Sequence, residues 1–137
     1  MEYLSALGHQ TGQYKVVQEV VEVGGYTCGN SQSANVWRPD HGGDFPLISF
    51  AHGWRDGGDN IHSYDNLLNG VASAGYIVIG SLAAFSRYCV EESKDQIRTI
   101  EWARTSEEYS KKINWKKQVG ILGHSMGGEA THNTASN

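Results

Sequence analysis

Five residues, Gly123-His124-Ser125-Met126-Gly127, hold the most chemically suggestive spacing in the chain. A serine hydroxyl serves as a nucleophile when it stands exposed on a sharp turn between a strand and a helix. Such a turn is so tight that the residues two before and two after the serine must be nearly side-chain-free. Residues 118–122 (QVGIL) supply an apolar strand before the turn, and a helix beginning near Ser125 follows it. At a helix start the dipole and the unpaired N–H groups favour negative charge, which suits a reaction that builds an oxyanion. Ser125 is the candidate nucleophile, and an inert serine in a glycine-rich turn is the alternative.

A second group, His52-Gly53-Trp54, follows the apolar run at residues 47–51 (LISFA). Acyl transfer needs two N–H donors aimed at the developing oxyanion. With a nucleophile on a strand-to-helix turn, one donor is the amide after the serine, here Met126, and the other comes from the loop after the third strand, which begins at His52. His52 reads more naturally as a structural histidine holding that loop than as a catalytic one. Trp54 is open to two readings, a packing aromatic or a substrate contact, whereas Trp37, Trp102 and Trp115 read as packing residues.

These pieces need a scaffold, and the order of apolar patterns describes one. Residues 14–23 (YKVVQEVVEV) alternate as a strand, residues 34–38 form a short one stopped by Pro39, and residues 47–51 form a third with apolar side chains throughout. Ile61, Tyr64, Leu67, Leu68, Val71 and Ala72 then recur at helical spacing. Asp59 or Asn60 is placed to cap that helix, and Gly75 to end it in a left-handed conformation. Residues 76–81 (YIVIGS) make a fourth strand. Val90, Ile97, Ile100 and Ala103 mark one face of the next helix, with Glu91, Lys94, Asp95, Arg98 and Glu101 on its other face. Apolar strands alternating with amphipathic helices predict an α/β fold, a mostly parallel sheet with helices on both faces. In it, residues 47–51, 76–81 and 118–122 are adjacent parallel strands. Residues 1–137 hold no linker or repeat, so they read as part of a single domain.

Composition narrows the partners. Eleven basic against 15 acidic residues give a formal charge of −4, which offers no electrostatic attraction to nucleic acid or an anionic membrane. Glu107 with Lys111 and Glu108 with Lys112 stand four apart, the pattern of a solvated helix face. No apolar run approaches the ~18 residues of a membrane span, and no signal peptide is visible, which favours the cytoplasm over secretion. Nucleotide-binding glycine motifs are absent. The histidines have no metal-ligand spacing, and His124 and His132 are eight apart. Cys28 and Cys89, 61 positions apart, either pair across two loops at one end of the sheet or remain two thiols.

Phe50 to Trp54 (FAHGW), Tyr76 to Ser81 (YIVIGS) and Gly120 to Gly128 (GILGHSMGG) together resemble the α/β-hydrolase superfamily. Within it they resemble the branch of cutinases, polyester hydrolases, chlorophyllases and dienelactone-hydrolase-like esterases. The resemblance covers residue 14 onward. It implies Ser125 as nucleophile and the amides of Trp54 and Met126 as the oxyanion hole. It also implies the side chains of Trp54, Met126 and His124 along the substrate wall, a small-molecule, lipid or polymer ester as substrate, and no metal or organic cofactor. One departure stands out. The superfamily's acid and base follow the serine in the order Asp, then His, but the 12 residues after Ser125 hold no Asp and a single histidine, His132. Seven residues of helix carry His132 roughly 10 Å from Ser125, beyond proton-transfer reach. The expectation is a serine ester hydrolase truncated after the nucleophile elbow and nearly inactive by itself. The alternative is a non-catalytic binding module that retains the elbow.

Overall fold

Valine-rich alternation makes Val16–Glu22 a strand, β1, and it pairs along its whole length with β2, Ser33–Pro39, from Val16 opposite Pro39 to Glu22 opposite Ser33. The computed structural model describes residues 12–24, 32–54, 56–83 and 92–136. Cys28 and Cys89 lie outside these residues, as do Val90 and Glu91. After β2 come β3 (Leu47–Ala51), a 3₁₀ turn (Gly58–Tyr64), α1 (Asp65–Ser73) and β4 (Ile77–Ser81). Helices α2 (Glu92–Thr105) and α3 (Tyr109–Lys112), strand β5 (Gly120–Gly123) and helix α4 (Met126–Ser136) complete the order.

The five strands form one sheet in the order β1-β2-β4-β3-β5. β3 lies between β4 and β5 and is parallel to both, so the three apolar strands are adjacent and parallel. The sheet as a whole is mixed, because β2 runs antiparallel to both β1 and β4. A parallel neighbour requires a crossover of a dozen or more residues, and β1 and β2 are joined by fewer than that.

Alternating strand residues fill two cores. On one face Ala34, Val36, Leu47, Ile77 and Ile79 pack with Ala103 of α2 and Tyr109 of α3. On the other Trp37, Phe50 and Val78 pack with Ile61, Tyr64, Leu68 and Ala72. Helices therefore cover both faces. Trp37 is fully buried, and its indole N–H donates to Asp65 Oδ1 at 3.0 Å, joining β2 to the start of α1. Trp37→Ala should lower unfolding free energy by about 3–5 kcal/mol through lost burial and the cavity left behind, measurable by urea denaturation.

Two local expectations are corrected. The first helix begins as a 3₁₀ turn with Gly57 at its N-cap and no side-chain cap, so neither Asp59 nor Asn60 takes that role. Gly58, at φ 60°, instead donates its N–H to the Leu82 carbonyl (2.8 Å), and backbone pairing with the segment after β4 starts the turn. Gly75 does end α1 in a left-handed conformation, φ 105°. The second correction concerns α2. Asp95, expected on a solvated face, is fully buried, and Gln96 and Thr99 are buried beside it.

That buried polar stripe ties the layers together. The Gln96 side-chain amide donates to the Ser49 carbonyl (3.2 Å), the Leu122 carbonyl (3.3 Å) and the Thr131 hydroxyl (3.0 Å). Its carbonyl accepts from the Thr134 hydroxyl at 2.7 Å. One side chain of α2 thus contacts β3, β5 and α4. No helix among the described residues is long and apolar enough to cross a membrane.

Candidate active site

β5 ends at Gly123 and α4 begins at Met126, so His124 and Ser125 make the whole turn between strand and helix. Ser125 has φ 58°, the one positive value at a non-glycine residue among those described. For an L-residue this conformation costs about 1–2 kcal/mol, so the surrounding structure must hold it there. The two flanking glycines explain how. A Cβ on Gly127 would lie 2.0 Å from the Ala51 carbonyl oxygen and 2.5 Å from that of His52, so the first turn of α4 sits directly on the end of β3. A Cβ on Gly123 would lie 2.2 Å from the Gly127 carbonyl oxygen and 2.3 Å from the Thr131 hydroxyl. Strand, turn and helix close on one another with no space for side chains at either position.

Ser125 is exposed, and its hydroxyl has no hydrogen-bond partner among the described residues. The first-turn amides of Gly127, Gly128 and Glu129 donate to the carbonyls of His124 and Ser125. The Met126 amide, first in the helix, has no acceptor among the described residues.

The loop after β3 abuts this turn. The His124 N–H donates to the Ala51 carbonyl (3.1 Å), and the position of a Gly53 Cβ lies 3.3 Å from His124 Nδ1. Trp54 follows, 47% exposed, which places a large aromatic surface in solvent and not in either core. His52 is fully buried; its Nδ1 lies 2.6 Å from the Gly53 carbonyl oxygen and its Nε2 2.6 Å from that of Ala83. Its ring therefore joins the loops after β3 and β4. The structure brings Ser125, Met126, His124 and the Gly53–Trp54 loop to one end of the parallel strands. His132 is exposed on α4.

A family model for chlorophyllases matches residues 5–136. The chain belongs to the chlorophyllase family. That family lies within the α/β-hydrolase superfamily, so of the branch the motifs resemble, the chlorophyllases are the members matched. A search of curated proteins finds no match. For a chlorophyllase-family chain, the mixed five-stranded sheet between helices fits a hydrolase fold.

Two residues of this neighbourhood are not evident in the sequence. Tyr64 reads there only as an apolar position of a helix, and Asp56 only as a loop residue. Yet the Tyr64 hydroxyl donates to Asp56 Oδ2 (2.6 Å), accepts from the Gly53 N–H (2.9 Å) and lies 3.0 Å from His124 Nδ1. Tyrosine at an apolar helical position always carries a hydroxyl in want of a partner, and the sequence carries no signal beyond that. Among the described residues no three or more His, Cys, Asp or Glu side chains stand close enough to hold a metal ion.

Proposed function

We propose that the protein is a serine ester hydrolase that works through an acyl-enzyme on Ser125. The observation that carries this reading is the left-handed backbone of Ser125 at a strand–helix junction, held between two glycines that cannot bear a side chain. Membership of the chlorophyllase family supports ester hydrolysis as the reaction class.

In the proposed reaction Ser125 Oγ attacks the ester carbonyl carbon and gives up its proton to a base. The carbonyl oxygen becomes an oxyanion, received by the Met126 and Trp54 amides. Collapse breaks the bond to the alcohol, which leaves with a proton, and water then releases the acid from Ser125 by the same steps. Trp54, Met126 and His124 line the substrate wall in this reading.

The base is a separate matter. His52 is enclosed between two carbonyls, His62 pairs with Asp65 at 3.1 Å, and His41 accepts from the Gly43 amide. His132 is seven residues along α4, roughly 10 Å by helix rise. His124, beside the serine, is held through Nδ1 by the Tyr64 hydroxyl and makes no hydrogen bond with Ser125. We therefore assign the histidine base and its carboxylate to positions outside the described residues, and the reaction needs neither metal nor organic cofactor.

An alkyl fluorophosphonate tests the nucleophile directly. On the enzyme equipped with its base it should attach at Ser125 alone, as read by peptide mass spectrometry, and Ser125→Ala should remain unlabelled. Attachment elsewhere, or none on the folded protein, would overturn the assignment and favour a binding module that retains the elbow.

A further inference from the structure

The three contacts of the Tyr64 hydroxyl with Gly53, Asp56 and His124 cannot take arbitrary roles. A phenol has one hydrogen to donate and lone pairs to accept with, a backbone N–H can only donate, and an ionised carboxylate can only accept. The Gly53 N–H, at 2.9 Å, is therefore a donor to Tyr64, and Asp56, at 2.6 Å, is the acceptor of the single phenolic hydrogen. A charge-assisted bond of that length is the strongest of the three. His124 Nδ1, at 3.0 Å, then meets a hydroxyl whose hydrogen is already committed, and the contact is a hydrogen bond only when Nδ1 carries the hydrogen.

We propose that Asp56 and Tyr64 are positioning residues that act through His124. They hold its imidazole as the Nδ1–H tautomer, so that Nε2 is the atom that exchanges a hydrogen bond with substrate, and they clamp the Gly53–Trp54 loop to the nucleophile turn. The geometry around them is tight. Tyr64 is largely buried, its ring meeting Phe50 edge-on at 4.8 Å and His124 at 5.6 Å between centroids. A Cβ on Gly53 would lie 2.8 Å from Asp56 Oδ2 and 3.3 Å from both the Tyr64 oxygen and His124 Nδ1. The loop end, the carboxylate, the phenol and the imidazole thus share one small volume. Because the Gly53 N–H is spent on Tyr64, it is withheld from substrate, and the donor to an oxyanion falls to a residue further along the loop. His124 is exposed, and its Nε2 has no partner among the described residues.

The inference rests on the hydrolase reading for its purpose, but its test does not depend on turnover. Long-range ¹H–¹⁵N correlation on the folded chain, at about pH 8.5, above the ordinary histidine range, reports which ring nitrogen holds the hydrogen. His124 should show a protonated Nδ1 and an unprotonated Nε2, the reverse of the tautomer a free imidazole side chain prefers. Tyr64→Phe keeps the ring and removes only the hydroxyl, so His124 should revert to Nε2–H. Asp56→Ala should cause the same reversal, because Tyr64 is then free to turn its hydrogen toward Nδ1. Asp56→Asn retains an acceptor oxygen and should keep the Nδ1–H form. Labelling of Ser125 by the fluorophosphonate should slow about tenfold in Tyr64→Phe, the effect of one lost hydrogen bond at the site. An Nε2–H His124 in the unaltered protein, or a tautomer unmoved by Tyr64→Phe in a protein that retains its amide spectrum, would overturn the inference. The expected tautomers on a Ser125 that takes no label would uphold the hydrogen-bond assignment and count against the hydrolase reading alone.

Discussion

In an enzyme equipped with its base, Ser125→Ala should lower kcat for a p-nitrophenyl ester by about a millionfold, leaving only what binding and the oxyanion donors contribute. The strain at φ 58° adds an internal control. Ser125→Gly frees the left-handed turn from its Cβ clash, a relief of about 1 kcal/mol, and should be as inactive as Ser125→Ala while unfolding at a higher temperature.

Gly127→Ala should damage both the fold and the site. The added methyl would lie 2.0 Å from the Ala51 carbonyl oxygen and 2.5 Å from the carbonyl carbon behind it. Those atoms end a strand paired on both sides, so α4 must be the part that moves. Forced overpacking of this kind costs about 1–3 kcal/mol. A shift of about 1 Å between Ser125 and the loop after β3 should lower kcat/KM by about a hundredfold. Gly128→Ala, one residue along, is the matched comparison. Its nearest neighbour beyond the helix backbone is the Gly123 carbonyl oxygen at 3.8 Å, so the methyl fits. The substitution should stabilise the helix by about 0.5–1 kcal/mol through propensity alone. Equal losses in the two variants, measured by thermal unfolding and ester hydrolysis, would contradict the close-approach argument.

The parts of the molecule legible from residues alone are those where chemistry and backbone make the same demand. Leu47–Ala51 is apolar at nearly every position because strands cover it on both edges and helices on both faces. Few environments besides a central buried strand select so short and continuous an apolar run. The pentapeptide around Ser125 is legible for a related reason, since a side chain on either terminal glycine would meet backbone at 2.0 or 2.2 Å. Other features depend on partners distant in sequence. Asp95 looks like one of several charges on an amphipathic helix, and nothing local reveals that it is buried. The Tyr64 cluster joins residues 8 and 60 positions apart, and no spacing rule connects a 3₁₀ turn to the residue before Ser125. The antiparallel pairing of β2 with β4 is equally hidden, because β3 and α1 lie between them in the chain and apolar pattern carries no sign of strand polarity.

The Gln96 amide has a bearing on when this site comes into being. α4 has 11 residues, two of them adjacent glycines in its first turn, and a helix of that length and composition does not persist unaided in water. It becomes a helix by docking, and the group it docks onto reaches out of α2, 35 residues before Thr131 and 38 before Thr134. As the polypeptide emerges in order from the ribosome, α2 and the strands beneath it are available before α4 exists. The turn at Ser125 is therefore completed only after its seat is built. Run in reverse, the amides of α4 should exchange with solvent together with those facing Gln96, in one cooperative opening and not by gradual fraying. A chain still being made thus gains the left-handed Ser125 only when α4 finds the strands and the amide already waiting for it.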